Sequence, residues 1–232
     1  TTALGADVTT TSTQTYTGAV TADVAAKRTL TASSVTFTAG FNGGAQDLDI
    51  VGDLVIDGAI SNTSDLNVSG TSDLGANVTT TNTQTYTGAT TVSVDTTLTT
   101  TNSNVTFTGA LDADSTERDL TINTGGTTGT ILMSSVVGQT NEFDVIAITG
   151  NLDLDANIGA DDFSAKGATS ISVSGTSNLG ANVTTSGTQT YTGAVTLSGG
   201  ANTTLTGSTI QFGSTVAGGT EDLKVDGIMD LN

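Results

Sequence analysis

The chain has 232 residues, 23 acidic against five basic side chains for a net charge of −18, and no Cys, His, Trp or Pro. That balance repels phosphate backbones and anionic lipids, which argues against a nucleic-acid partner. It also removes disulfides, thiol chemistry and the Ser–His and Cys–His nucleophile pairs. Charged residues make up 12% of the chain, against about 25% in ordinary domains. Thr, Ser and Asn carry the polarity instead. Thr is β-branched and suits pleated surfaces, whereas Ser, Asn, Asp and Gly suit turns. Val, Ile and Leu recur in alternation, the pattern of half-buried strands rather than of a disordered chain. No apolar run approaches the roughly 20 residues of a membrane span, so no membrane insertion is expected.

In chain order, residues 1–19 read "TTALGADVTTTSTQTYTGA", and 15 of these 19 positions recur at 71–89. Tyr16 is followed by Phe37 in "SVTFTAG", an interval of 37 − 16 = 21. The run "LDIVGDLVIDGAI" at 48–60 predicts strands interrupted by turn residues. Residues 66–89, "LNVSGTSDLGANVTTTNTQTYTGA", recur at 171–194 with 19 of 24 positions identical. Tyr86 is followed at the same interval, 107 − 86 = 21, by Phe107 in "VTFTG". There Val105 and Phe107 share one face and Thr106 and Thr108 the other. Further strands are predicted in 120–126, 143–158 and 223–232. Tyr191 and Phe212 repeat the interval once more, since 212 − 191 = 21. The step from Tyr86 to Tyr191 is 191 − 86 = 105, five times 21, while that from Tyr16 to Tyr86 is 86 − 16 = 70. Some units must therefore differ in length.

Such a unit suits one coil of a parallel β-solenoid. The expectation is an all-β chain, one repetitive domain over 1–232, with coils of about 20 residues. Long repeats begin near 1, 71 and 176. Stacking at about 4.8 Å would give on the order of a dozen coils and a rod roughly 55 Å long. Tyr16, Phe37, Tyr86, Phe107, Tyr191 and Phe212 are expected as rungs of an interior aromatic ladder. The chain starts inside one repeat and stops inside another. A segment of a longer protein, or a subunit stacking end to end with its neighbours, would read this way.

The phrases "GANVTTTNTQTYTGA", "TQTYTGAVTLSGGANTTLTGSTIQFGSTVAGGTEDLKV" and "TTLTTTNSNVTFTGALDADSTERDLTIN" resemble the β-strand repeats of very large bacterial exoproteins, the filamentous-haemagglutinin-like or autotransporter-like adhesins. The resemblance covers nearly the whole chain, with 127–165 its least typical part. It implies a right-handed parallel β-helix projecting from a cell surface as a stalk or fibre, with binding modules elsewhere in the polypeptide. That family has no fixed catalytic motif, so no residue role is carried over from it.

Other chemistry is sparse. Carboxylate pairs of the glycosidase kind could be drawn from Asp112 and Asp114, or from Asp161 and Asp162, yet few basic or aromatic residues remain to grip a sugar chain. The expectation is no enzyme. Ca²⁺ is the one cofactor that the acids suggest, with Asp153, Asp155, Asp161 and Asp162 as the densest cluster, although neither a β-roll nonapeptide nor an EF-hand loop is present. Charge that keeps rods soluble and laterally apart is the simpler reading. Flat threonine ranks could order ice, the best candidates being Thr15/Thr17 over Thr36/Thr38 and Thr85/Thr87 over Thr106/Thr108. Asn62, Asn67, Asn77, Asn104, Asn182 and Asn202 begin Asn-x-Ser/Thr sequons, a frequent match in so Asn- and Thr-rich a chain. The functional expectation is a structural protein, extracellular or at the cell surface, that self-associates end to end into filaments. The alternative is an adhesin recognising glycans or a host surface.

Overall fold

In the computed structural model, residues 1–23, 26–126, 128–160, 167–200 and 202–232 are described. Among them there are 26 strands and no helix, every strand pairing is parallel, and all belong to one sheet wound into about eleven coils. Each coil carries three strand segments, so the rod has three faces. Face 1 begins with Thr2–Leu4 and Val20–Ala22, face 2 with Val8–Thr9 and Arg28–Phe37, and face 3 with Gln14–Tyr16 over the end of that same long strand.

The period-two alternation of the sequence produces this wall directly. In Val105–Phe107 and Leu111–Ala113 the outer residues of each triplet are buried and the middle one is half-exposed. The inward rows are continuous. On face 1, Leu98 lies on Val78, Ile122 on Leu98, Ile148 on Ile122 and Val173 on Ile148. A single core cluster runs from Leu4 to Phe212. Because parallel pairing supplies each backbone group with a partner in the coil above or below, stability accumulates coil by coil rather than residing in one centre.

Coil length varies while inward rows stay aligned. Along face 1 the interval from Ile60 to Val78 is 78 − 60 = 18, and that from Ile122 to Ile148 is 148 − 122 = 26. The additional residues go into corners, where added loop length costs little entropy. Glycine sets the tightest corners. Gly52 has φ +133°, and a Cβ there would lie 1.9 Å from the Ala32 carbonyl oxygen, so no other residue fits. Above it, Gly70 and Gly88 each donate N–H to the carbonyl of the glycine one coil below, at 2.9 and 3.1 Å.

Candidate functional site

The three copies of the threonine-rich phrase do not stack on one another. Tyr16 lies on face 3, Tyr86 on face 2 and Tyr191 on face 1. From Tyr86 the inward row of face 2 climbs through Phe107, Met133 and Leu154 to Leu179, four coils. Tyr191 comes two strands later. From Tyr16 the row of face 3 climbs through Phe37 and Ile56 to Leu74, three coils, and Tyr86 again comes two strands later. The step from Tyr86 to Tyr191 is thus not five coils. Each copy is displaced by whole coils plus two strands, and the phrase moves around the rod.

What the copies share is a corner brace. Gln84, fully buried, donates from Nε2 to the Val78 carbonyl (3.3 Å), to Thr80 Oγ1 (3.3 Å) and to the Thr99 carbonyl in the next coil (2.9 Å). Its Oε1 accepts from the Tyr86 hydroxyl at 3.1 Å. Gln189 repeats this with Val183, Thr185, Thr206 and Tyr191, and Gln14 with Val8, Thr10, Thr31 and Tyr16. Each Gln reaches across the corner to carbonyls of its own coil and the next, and the Thr31 and Thr206 carbonyls also accept the Thr10 and Thr185 backbone amides. One amide side chain thus ties two coils together and satisfies a buried phenol as well. Burial pushes the Tyr86 and Tyr191 hydroxyls far above the ordinary phenol range, and Tyr16 upward too.

The six aromatic residues expected in the ladder form three two-ring stacks, and Phe41 adds a tilted contact to Phe37 at 5.1 Å. Tyr16 meets Phe37 at 5.5 Å between centroids, Tyr86 meets Phe107 at 5.2 Å and Tyr191 meets Phe212 at 5.7 Å, with interplanar angles of 21°, 11° and 18°. Five of the six are fully buried and Tyr16, in the first coil, is half-buried. An aliphatic side chain ends the stack in the middle copy, where Val68 lies below Tyr86 and Met133 above Phe107.

A second device uses short oxygen side chains at corners to clamp the following coil. Asp7 Oδ1 accepts the Thr29 amide (2.9 Å), Asp53 that of Thr71 (2.8 Å), Asn104 that of Thr130 (2.9 Å) and Asn151 that of Thr176 (2.9 Å). Asp65 accepts both the backbone N–H and the hydroxyl of Thr83. Burial there raises its carboxyl, but the bonds from Thr83, Asn82 and Ser64 outweigh it and hold the group below the usual carboxylate range. Three sequon asparagines act in the same way. Asn77, Asn104 and Asn182 accept the amides of Thr97, Thr130 and Thr204.

The acids considered for chemistry are scattered. Asp112 accepts the Thr140 amide at 3.0 Å, while Asp114 is paired with Arg118 at 2.8 Å, and that guanidinium holds its carboxyl low. Asp153 accepts from Asn178 Nδ2 at 2.8 Å on face 2, and Asp155 is exposed on the turn that follows. Asp161 and Asp162 lie outside the described residues. Among the described residues, no group of three or more acidic side chains is placed to hold a metal ion.

The threonine pairs singled out from sequence are short ranks. Thr15 and Thr36 are followed on face 3 by Val55 and Asp73, and Thr85 and Thr106 on face 2 by Leu132 and Asp153. The longer uncharged rank is on face 1, where Thr21, Asn42 and Ser61 are succeeded by Thr79, Thr99, Asn123 and Thr149. Sequence reading missed both this rank and the brace. Recognising the rank requires knowing which strands share a face. The brace had a legible signal: Val-x-Thr-x₃-Gln-x-Tyr survives in all three copies while the two residues after its Thr vary.

Comparison with protein-family models, with curated proteins and with solved structures finds no match for this chain. The resemblance to bacterial β-strand-repeat exoproteins therefore rests on the quoted phrases.

Proposed function

We propose that the chain is a structural rod, part of an extracellular or cell-surface fibre, stalk or matrix filament, in which coils are added end to end. The observation that carries this reading is the uninterrupted wall: parallel pairing runs coil on coil from Thr2–Leu4 to Leu223–Leu231 around a single core cluster from Leu4 to Phe212. Each coil is a backbone template for its neighbour, so such a rod gains length and stability by repetition. Among the described residues the interior is a largely apolar core, and several corner Asp and Asn side chains accept backbone amides of the next coil. Mechanical continuity is what such a construction provides.

Electron microscopy of the native material tests this. Fibres with an axial spacing of about 4.8 Å are the expected result. Discrete particles one rod long, together with ligand binding abolished by altering a single lateral patch, would replace the structural reading with the adhesin one.

A further inference from the structure

Charge is not shared evenly among the three faces. The outward rank of face 2 includes Asp49 and Asp153, and that of face 3 includes Asp73 and Asp112. Among the described residues, face 1 carries no charged residue along its centre from Thr21 to Gln211. The rank ending at Thr149 is joined there by a second, in which Thr121 lies on Thr97, Ser172 on Ala147, Thr190 on Ser172 and Gln211 on Thr190. Acidic side chains reach this face at its margins, through Asp23, Asp47, Asp65, Asp95, Asp119 and Asp144, and Asp230 enters the centre only in the last coil. From Val78 to Phe212 the face 1 ladder has no register shift, so it is an unbroken parallel surface.

We infer that face 1 is the lateral contact through which a second copy of this chain packs, side against side, to bundle the rods; this rests on the structural reading above. Two rods of net charge −18 repel, and contact through face 2 or face 3 buries like-charged carboxylates against one another within the contact. Contact through face 1 leaves its acids on a hydrated rim, the distribution of charge found in protein interfaces. Ten coils at about 4.8 Å by three to four residues of strand bury on the order of 1,000 Å² over both partners, the size at which a specific contact becomes sustainable. Small side chains without long rotamers lose little entropy on packing. The contact is neutral but the rods are not, so association strengthens as salt screens the remaining repulsion.

Sedimentation of the 232-residue chain, with micrographs of the same samples, reads this out. The expected result is little side-by-side pairing at about 0.01 M salt, where the screening length is ~30 Å, and clear pairing at about 1 M, where it is ~3 Å. Thr99→Asp with Thr149→Asp should weaken pairing by about tenfold or more, while Thr99→Ser with Thr149→Ser retains it. Thr85→Asp with Thr106→Asp on face 2 should leave it unchanged, and the circular dichroism of all variants should match the parent. Equal loss from the face 1 and face 2 aspartates, or no loss from either, overturns the assignment. So does a chain that stays laterally unpaired at every salt concentration, or one that adsorbs to ice through the same threonines while remaining unpaired. End-to-end filaments that never bundle defeat this inference alone; single short rods under all conditions defeat the fibre reading with it.

Discussion

The coils around Leu66–Phe107 and those around Leu120–Ile158 solve one stacking problem in different ways. The first set is tight. On face 2 the intervals between Val68, Tyr86 and Phe107 are 86 − 68 = 18 and 107 − 86 = 21, and a Gln–Tyr brace and a ring stack hold the coils. The second set is looser. The intervals between Phe107, Met133 and Leu154 are 133 − 107 = 26 and 154 − 133 = 21, and the buried side chains of these coils are Ile, Leu, Met and Val with one unstacked ring, Phe143. Both keep parallel register along this row. An apolar inward row is therefore sufficient for stacking, and the brace adds a side-chain tie between coils; the coil below makes the same corner with Leu66 in the place of Gln84.

Removing the brace's anchor should separate the two regions most. Tyr86→Ala empties a fully buried ring site and is expected to cost about 3–5 kcal/mol. Because repeat rods need not unfold in one step, hydrogen exchange resolved by coil is the proper measurement. Protection should fall over 66–107 and persist over 120–158; uniform loss along the rod would mean that the coils are not separable units.

Alkali should draw the same boundary more gently. A phenol whose folded pKa is raised contributes stability that is complete below its unfolded value near 10 and is lost as pH rises beyond it. Coils holding Tyr86 and Tyr191 should loosen above about pH 10, and Tyr86→Phe should remove that dependence from its own coils. Loosening of 120–158 at the same pH would point to general charge repulsion instead.

Acid should produce the smallest effect, with the opposite sign. Asp65 titrates low, so its clamp on Thr83 contributes stability above the unfolded carboxylate value and loses it as pH falls through the folded one. Asn104 and Asn151, which clamp the later coils, do not titrate. Solvent screens this half-exposed carboxylate, so melting of the parent and Asp65→Asn should differ at pH 7 by about 1 kcal/mol or less and converge near pH 3. A difference that persists in acid would show that the carboxylate's charge is not what matters.

Much of the architecture was legible. Alternation in "VTFTG", the recurring interval from Tyr to Phe and the Gly, Asn and Asp corners predict parallel coils, and the structure shows Phe107 over Tyr86 and Thr106 over Thr85. The brace was half-legible. Gln84 sits in a strand whose alternation marks it as inward, but its hydrogen-bonding role depends on the Thr99 carbonyl in the next coil. The clamps hid behind composition, because an Asp or Asn in a turn looks the same whether it meets water or an amide.

Local features follow from the sequence alone: which residues form strands, which side of each strand is apolar, and where the chain turns. Those depend on the pleat and on turn chemistry, which act over a few residues. The face that each strand joins was set at the tertiary level. That assignment is cumulative, since one strand more or fewer rotates every later segment by a face. For that reason three nearly identical phrases ended on three different faces. For the same reason an uncharged rank assembled from separate coils was invisible until they were stacked.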